Sequence, residues 1–255
     1  MNENIIINLF HLMNKYNYKF NNKNFDYHLR DDVDFSVFNE IFKLMEYKSS
    51  IDVIKNAKNP VIDIGAHVGF FSIFVTCLNS NVNIYSIEPE KNNFEFLNKH
   101  KNENNFLNIK TFKCAIGKET KDGELIIAED SINNKIRKVE KIRMNEKLRK
   151  EDYQKVRIFS LKDFLVDNEI ERVSLIKIDI EGGEYDIFEN LDNDIFSKIG
   201  AFILEYHNIK TKNEKPKTKK DIENKLRENG FSVQVFPSKF DKDLGFIFAI
   251  NKRML

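Results

Sequence analysis

Val61-Ile62-Asp63-Ile64-Gly65-Ala66-His67-Val68-Gly69-Phe70-Phe71-Ser72 runs from a short apolar strand into two glycines and then into an apolar helix. The spacing is Asp-x-Gly-x-x-x-Gly, which differs from the G-x-G-x-x-G of dinucleotide sites. Glycines let the backbone turn sharply and approach a ligand closely. The helix start offers free N–H groups and positive potential to a carboxylate. Asp63, at the strand end, is placed for an ammonium group. Asp63, Gly65, Ala66, His67, Gly69, Phe70, Phe71 and Ser72 therefore read as a cradle for the amino-acid end of a ligand. Glycines in a strand-to-helix turn also have a purely structural use.

Around this turn, apolar strands alternate with helices. Strands are expected at 61–64, 83–87, 109–115, 173–178 and 201–206, with helices at 69–78, 91–102 and 184–191 and an extra strand at 124–128. Such alternation gives a mainly parallel sheet with helices on both faces. A helix at 219–229, ended by Gly230, leads into strands at 231–236 and 244–250. Only a loop separates these two, so they pair antiparallel. Residues 60–255 thus read as one α/β, Rossmann-like domain, with a mainly parallel seven-stranded sheet closed by an antiparallel terminal hairpin. Residues 1–59 read as a mostly helical extension. In it Asp34 caps a helix with apolar positions Phe35, Phe38, Ile41, Phe42 and Met45. Such an extension serves as a lid over the site or as a cap on one sheet face.

Composition narrows the function. The net charge is +1 over 255 residues, so no global basic field exists to hold DNA, and RNA is disfavoured. The charge is uneven, however. Segment 131–157 holds ten Lys or Arg against four Asp or Glu and reads as a basic insertion at about 129–157. Cys77 and Cys114 sit in apolar stretches, which suits a reducing compartment better than a disulfide scaffold. The N-terminal stretch lacks the features of a secretory signal, and no apolar run approaches the ~18 residues of a membrane span. A cytoplasmic protein is expected.

Three further motifs lie at strand ends. Glu88, in Ile87-Glu88-Pro89, follows Gly69 by 19 residues, the distance at which an acid accepts hydrogen bonds from ribose hydroxyls. Lys177-Ile178-Asp179-Ile180-Glu181-Gly182-Gly183-Glu184 places three carboxylates and two glycines where a buried strand ends. Ligands of open α/β sheets bind at that edge. A turn at Gly182-Gly183 brings Asp179 and Glu181 together, while Glu184 fits a helix-start acid. Glu205-Tyr206-His207 ends the fifth strand, and His207 is a candidate general base.

Together these motifs resemble the FkbM methyltransferases. That family shows Asp-Ile-Gly-Ala, then Glu-Pro, then Lys-Ile-Asp-x-Glu-Gly-x-Glu, then Glu-x-His. Here they stand in order as Asp63–Ala66, Glu88-Pro89, Lys177–Glu184 and Glu205–His207, over about residues 60–208. Two departures, Lys162 where an Asp is common and Glu189-Asn190 where a Gly often stands, lie outside the cofactor motifs. The resemblance implies a class I fold, S-adenosylmethionine as cofactor, and methyl transfer to hydroxyl groups, often of sugars or polyketide-like molecules.

On this reading Glu88 and Pro89 border the ribose. The third strand lacks an acid near adenine, so backbone at Cys114 and Ala115 together with apolar packing holds the base. Asp179 contributes to the cofactor site, and Asp179, Glu181 or His207 removes the acceptor proton. Asp179, Glu205 and His207 are oxygen and nitrogen donors without a diagnostic metal spacing, which leaves dependence on a divalent ion open. The expected acceptor is a small molecule or saccharide, such as a phosphate-linked surface-polysaccharide precursor. The basic insertion and a second run, Lys210, Lys212, Lys215, Lys217, Lys219 and Lys220, would form a positive funnel for it. The alternatives are an RNA methyltransferase and a non-catalytic cofactor-binding scaffold in a polysaccharide assembly complex.

Overall fold

Tyr16, Tyr18 and Phe20 alternate with polar residues, as do Phe25 and Tyr27, and Asn21-Asn22 lie between the two runs. That is the pattern of a β-hairpin. The computed structural model describes residues 15–126, 135–136, 153–180, 182–209, 216–239 and 241–253. In it β1 (Lys15–Phe20) and β2 (Lys23–His28) pair antiparallel, with both asparagines at positive φ. The described part of the extension thus opens with a hairpin that the helical reading did not include. After the hairpin come α1 (Asp32–Phe42), a 3-10 turn (Glu46–Ser50) and α2 (Ile51–Lys55). The cap of α1 is Asp31, whose side chain accepts from the Asp34 N–H, and Asp34 itself is buried inside the first turn. Phe38, Ile41 and Phe42 are buried as expected, whereas Phe35 is exposed.

The chain continues through β3 (Val61–Ile64), α3 (Phe70–Leu78), β4 (Ile84–Ile87), α4 (Lys91–Glu103) and β5 (Ile109–Phe112). The strand expected over 109–115 breaks at Lys113-Cys114. Beyond the break, β6 (Ala115–Gly117) joins β7 (Lys121–Ile126), β8 (Lys135–Ile136) and β9 (Tyr153–Ser160) in a second sheet of order β6-β9-β7-β8. The basic insertion thus contributes strands at its edges. Residues 129–134 and 137–152, with most of its charges, lie outside the described residues, as do Lys210, Lys212 and Lys215.

After α5 (Leu161–Asp167) come β10 (Leu175–Ile178), α6 (Glu184–Glu189), α7 (Asn193–Ser197), β11 (Ala201–His207), α8 (Lys219–Glu228), β12 (Phe231–Pro237) and β13 (Leu244–Asn251). The central sheet has the order β12-β13-β11-β10-β3-β4-β5. β13 runs antiparallel to both its neighbours, and the pairs from β11 to β5 are parallel. β3, β4 and β10 are buried at every residue, as strands covered on both faces must be. The carboxyl ends of β3, β4, β10 and β11 therefore open on one edge.

The extension is joined to the domain by an aromatic cluster. Phe38 stacks on Tyr27 at 4.3 Å and meets Phe70 edge-on at 5.5 Å, and Phe20 lies 5.2 Å from Phe74. Because Phe70 and Phe74 belong to α3, the hairpin, α1 and the glycine turn share one core. Phe38→Ala is expected to cost about 3–5 kcal/mol. Chemical denaturation should show the whole transition shifted as one cooperative step. Separate melting of the extension, with the main transition unmoved, would contradict the shared core.

Candidate active site

A cleft of about 1080 Å³ lies along the carboxyl edge, at the upper end of the range for small-molecule sites. It is lined by residues of the glycine turn and α3 start (Gly65, Ala66, His67, Phe70), by Glu88 and Pro89, and by Ala115–Gly117. It is lined as well by Glu40, Tyr47, Lys177, Asp179, Gly182 and His207. The four motifs read from sequence thus meet in one place.

The glycine turn depends on its first glycine. Gly65 has φ +76, and a Cβ there would collide with the Asp179 carbonyl oxygen. His67 adopts a left-handed conformation without being glycine, at φ 51. Its Nε2 lies 3.2 Å from Arg30, which forms two side-chain hydrogen bonds of 2.8 Å to Asp34. Burial pushes the His67 imidazole down to about 4, so it is neutral at neutral pH.

Glu88 is 5% exposed at the end of β4. One oxygen accepts from the His67 N–H at 2.8 Å and the other from the Glu90 N–H at 2.9 Å. It therefore ties the glycine turn to the next strand while still facing the cleft. Burial raises its pKa from 4.5 to about 7 against these hydrogen bonds.

Four of the expected residues lie behind the cleft wall. Asp63, expected to meet an ammonium of the ligand, is fully buried. The ammonium it meets is that of Lys177, 3.4 Å away. Ser72 is also fully buried, donating to Asp63 at 2.6 Å and lying 2.7 Å from the Ser86 hydroxyl. Gly69 caps α3, and its missing side chain makes room for Leu97. Cys114 packs into the core, which pushes its thiol up to about 12. Ala115, Ile116 and Gly117 form the wall where Cys114 was expected.

Among the candidate bases, Asp179 and His207 line the cleft, while Glu181 lies outside the described residues. Two further side chains at the site had no role in the sequence reading. Glu184, which resembled a helix-start acid, is fully buried. It accepts from the Gly182 N–H at 2.8 Å, from the His207 N–H at 2.8 Å and from the His207 ring at 3.0 Å. A carboxylate oxygen can only accept from the ring, so His207 Nδ1 carries a proton in this pair. Lys177 is 3% exposed and donates to the Gly65 carbonyl at 2.7 Å. Its lateral partner on β3 is Asp63. The sequence signal for both residues is position: each stands in the motif where a strand ends against the glycine turn. No group of three or more His, Cys, Asp or Glu side chains arranged for a metal is found among the described residues.

A parallel sheet with an inserted antiparallel strand, a glycine turn after the first central strand and an acid at the end of the second define a class I methyltransferase. The chain belongs to the family described as the methyltransferase FkbM domain, whose model matches residues 63–233. It is 26% identical over 208 residues to "Methyltransferase 1" of Beauveria bassiana (strain ARSEF 2860), covering 76% of this chain and 80% of that one. Solved structures resemble it more distantly. A precorrin-6y C5,15-methyltransferase from Geobacter metallireducens GS-15 is 14% identical with TM-score 0.44, covering 80% of this chain and 85% of that chain. Aeropyrum pernix fibrillarin with bound S-adenosyl-L-methionine is 11% identical with TM-score 0.46, covering 94% and 84%.

The raised pKa of Glu88 links stability to pH. The folded carboxyl holds its proton up to about pH 7, the unfolded one only to 4.5. Stability from this group is therefore full below pH 4.5 and is lost as pH rises through about 7. The loss is on the order of 3 kcal/mol. The melting difference between Glu88→Gln and wild type should move in the variant's favour across that window. A pH-independent difference would contradict the assigned burial.

Proposed function

We propose that this protein transfers a methyl group from S-adenosylmethionine to a hydroxyl oxygen of a sugar or related small molecule, with His207 as general base. The observation that carries this reading is the Glu184–His207 pair at the cleft wall, beside Asp179.

The cleft fits the cofactor in chemistry. The α3 N-terminus and the Gly65–Gly69 turn suit its carboxylate. Asp179, at the cleft wall where Asp63 is not, suits its ammonium. Glu88 suits two ribose hydroxyls, and Ala115–Gly117 with Ile87 suit the adenine. Bound there, the cofactor supplies a methyl group on a sulfonium, which an oxygen nucleophile displaces in line. The protein must then hold the acceptor hydroxyl and take its proton. His207 is the general base for that proton, and Glu184 fixes its ring and stabilises the imidazolium that forms.

The cleft is also lined by Glu40 and Asp243, and by Asp186, which is paired with Lys217 at 2.8 Å. These acids disfavour a phosphate next to the reacting hydroxyl. A phosphate-linked sugar would therefore enter with its phosphate away from these acids. The same acids weigh against an RNA backbone. The two cysteines are buried and free, which suits the cytoplasm.

The test supplies a donor with an isotopically labelled methyl group to nucleotide sugars, oligosaccharides and short RNA in separate reactions and reads the product by NMR. Label on a sugar oxygen is expected, and label on an RNA base would overturn the reading. With that acceptor, His207→Ala should lower turnover by about 10²–10⁴-fold, a loss far larger than any change in cofactor affinity. Full turnover in the variant would remove His207 from the mechanism.

A further inference from the structure

Lys177 and Asp179 lie two residues apart on the same face of the chain as it leaves β10, and Asp63 is lateral to Lys177 on β3. The Lys177 ammonium is held by three acceptors: the Gly65 carbonyl at 2.7 Å, Asp63 at 3.4 Å and Asp179 at 3.5 Å. Two carboxylates and one ammonium leave one negative charge over. Asp63 is sealed inside the sheet, while the Asp179 side chain is 30% exposed. The surplus charge therefore faces the cleft at Asp179.

We propose that Lys177 is the positioning residue for Asp179, pinning it at the cleft wall as the anion that receives the ammonium of the cofactor's methionine part. This rests on the reading of the cleft as an S-adenosylmethionine site.

The surroundings of Asp179 make Lys177 necessary. The Tyr47 hydroxyl donates to Asp179 at 3.4 Å. Glu205 of β11 hydrogen-bonds to Asp179, and His207 lies near it. Carboxyls this close compete to hold negative charge. Glu40, Glu46 and Asp63 add negative potential from α1, the 3-10 turn and β3, and His67 faces Asp179 from the glycine turn. Burial pushes the Asp179 carboxyl up, and Lys177 first, then His207, more than reverse this. Without Lys177, carboxylates crowded in one site cannot all stay ionised, and Asp179 is then forced to take up a proton.

The test measures S-adenosylmethionine affinity by calorimetry from about pH 5 to 7, where the ligand's amino group stays protonated. Wild type, Lys177→Met, Lys177→Arg, Asp179→Asn and the Lys177→Met/Asp179→Asn double variant are compared. Taking the ratio of variant to wild-type affinity cancels the titration of Glu88. The Lys177→Met defect should deepen at least tenfold as pH falls across this range. It should be largely rescued in Lys177→Arg and lose its pH dependence in the Asp179→Asn background. A defect of constant size at every pH would mean a merely structural lysine and overturn the proposal. Wild-type affinity in Asp179→Asn would locate the failure one step earlier, in the assignment of the ammonium to Asp179. Should Lys177→Met not fold, the wild type decides by carboxyl-carbon NMR. An Asp179 that titrates at or above the ordinary value of about 3.9 overturns the proposal.

Discussion

One buried ion pair holds the site together: the Lys177 ammonium against the Asp63 carboxylate, across adjacent strands in the middle of the sheet. Neither group has water to fall back on. Such a pair adds little net stability, but removing one partner strands the other at a cost of about 3–5 kcal/mol. Its use here is geometric. Through Ser72 and Ser86 it reaches the first turn of α3 and the neighbouring strand β4. Through the Gly65 carbonyl it fixes the glycine turn, and through Asp179 it reaches the cleft. Each of these connections requires the β3–β10 register, because a one-residue slip would turn every side chain to the other face.

The N-terminal extension belongs to the same construction. Val37, Glu40, Ile41 and Tyr47 line the cleft, and the Arg30–Asp34 pair abuts His67 in the glycine turn. His28 donates its backbone N–H to the His100 ring, which bonds the Val68 carbonyl inside that same turn. The extension is thus both a cap on the helical face and a wall of the site. Its aromatic cluster keeps the two roles inseparable, since Phe70 packs on Phe38 while lining the cleft.

Much of this was legible in the sequence. Short, largely apolar strands alternating with helices, and a closing pair without a helix between them, indicate a mainly parallel sheet with an antiparallel end, and a fixed distance from the glycine turn picks out Glu88. What was not legible depends on neighbours distant in sequence. Asp63 and Asp179 both end apolar strands, and only the lateral placement of Lys177 decides which is sealed and which faces the cleft. Lys177 itself stands between two isoleucines, where one charged residue gives no hint of its partners. Glu184 resembles any helix-start acid until β11 brings His207 to it. The strand at 153–160 lies in a charged segment and pairs with strands more than 25 residues earlier. The N-terminal hairpin is different: its alternation and its Asn-Asn turn are local signals carried by the sequence itself.

The most direct measurement is a co-crystal structure with S-adenosylhomocysteine, the product left after methyl transfer. The ribose hydroxyls should lie within about 3.2 Å of Glu88, and the amino group should lie against Asp179 with Lys177 still seated between Asp63 and the Gly65 carbonyl. A product bound with its amino group away from Asp179, or with its ribose away from Glu88, would contradict the account.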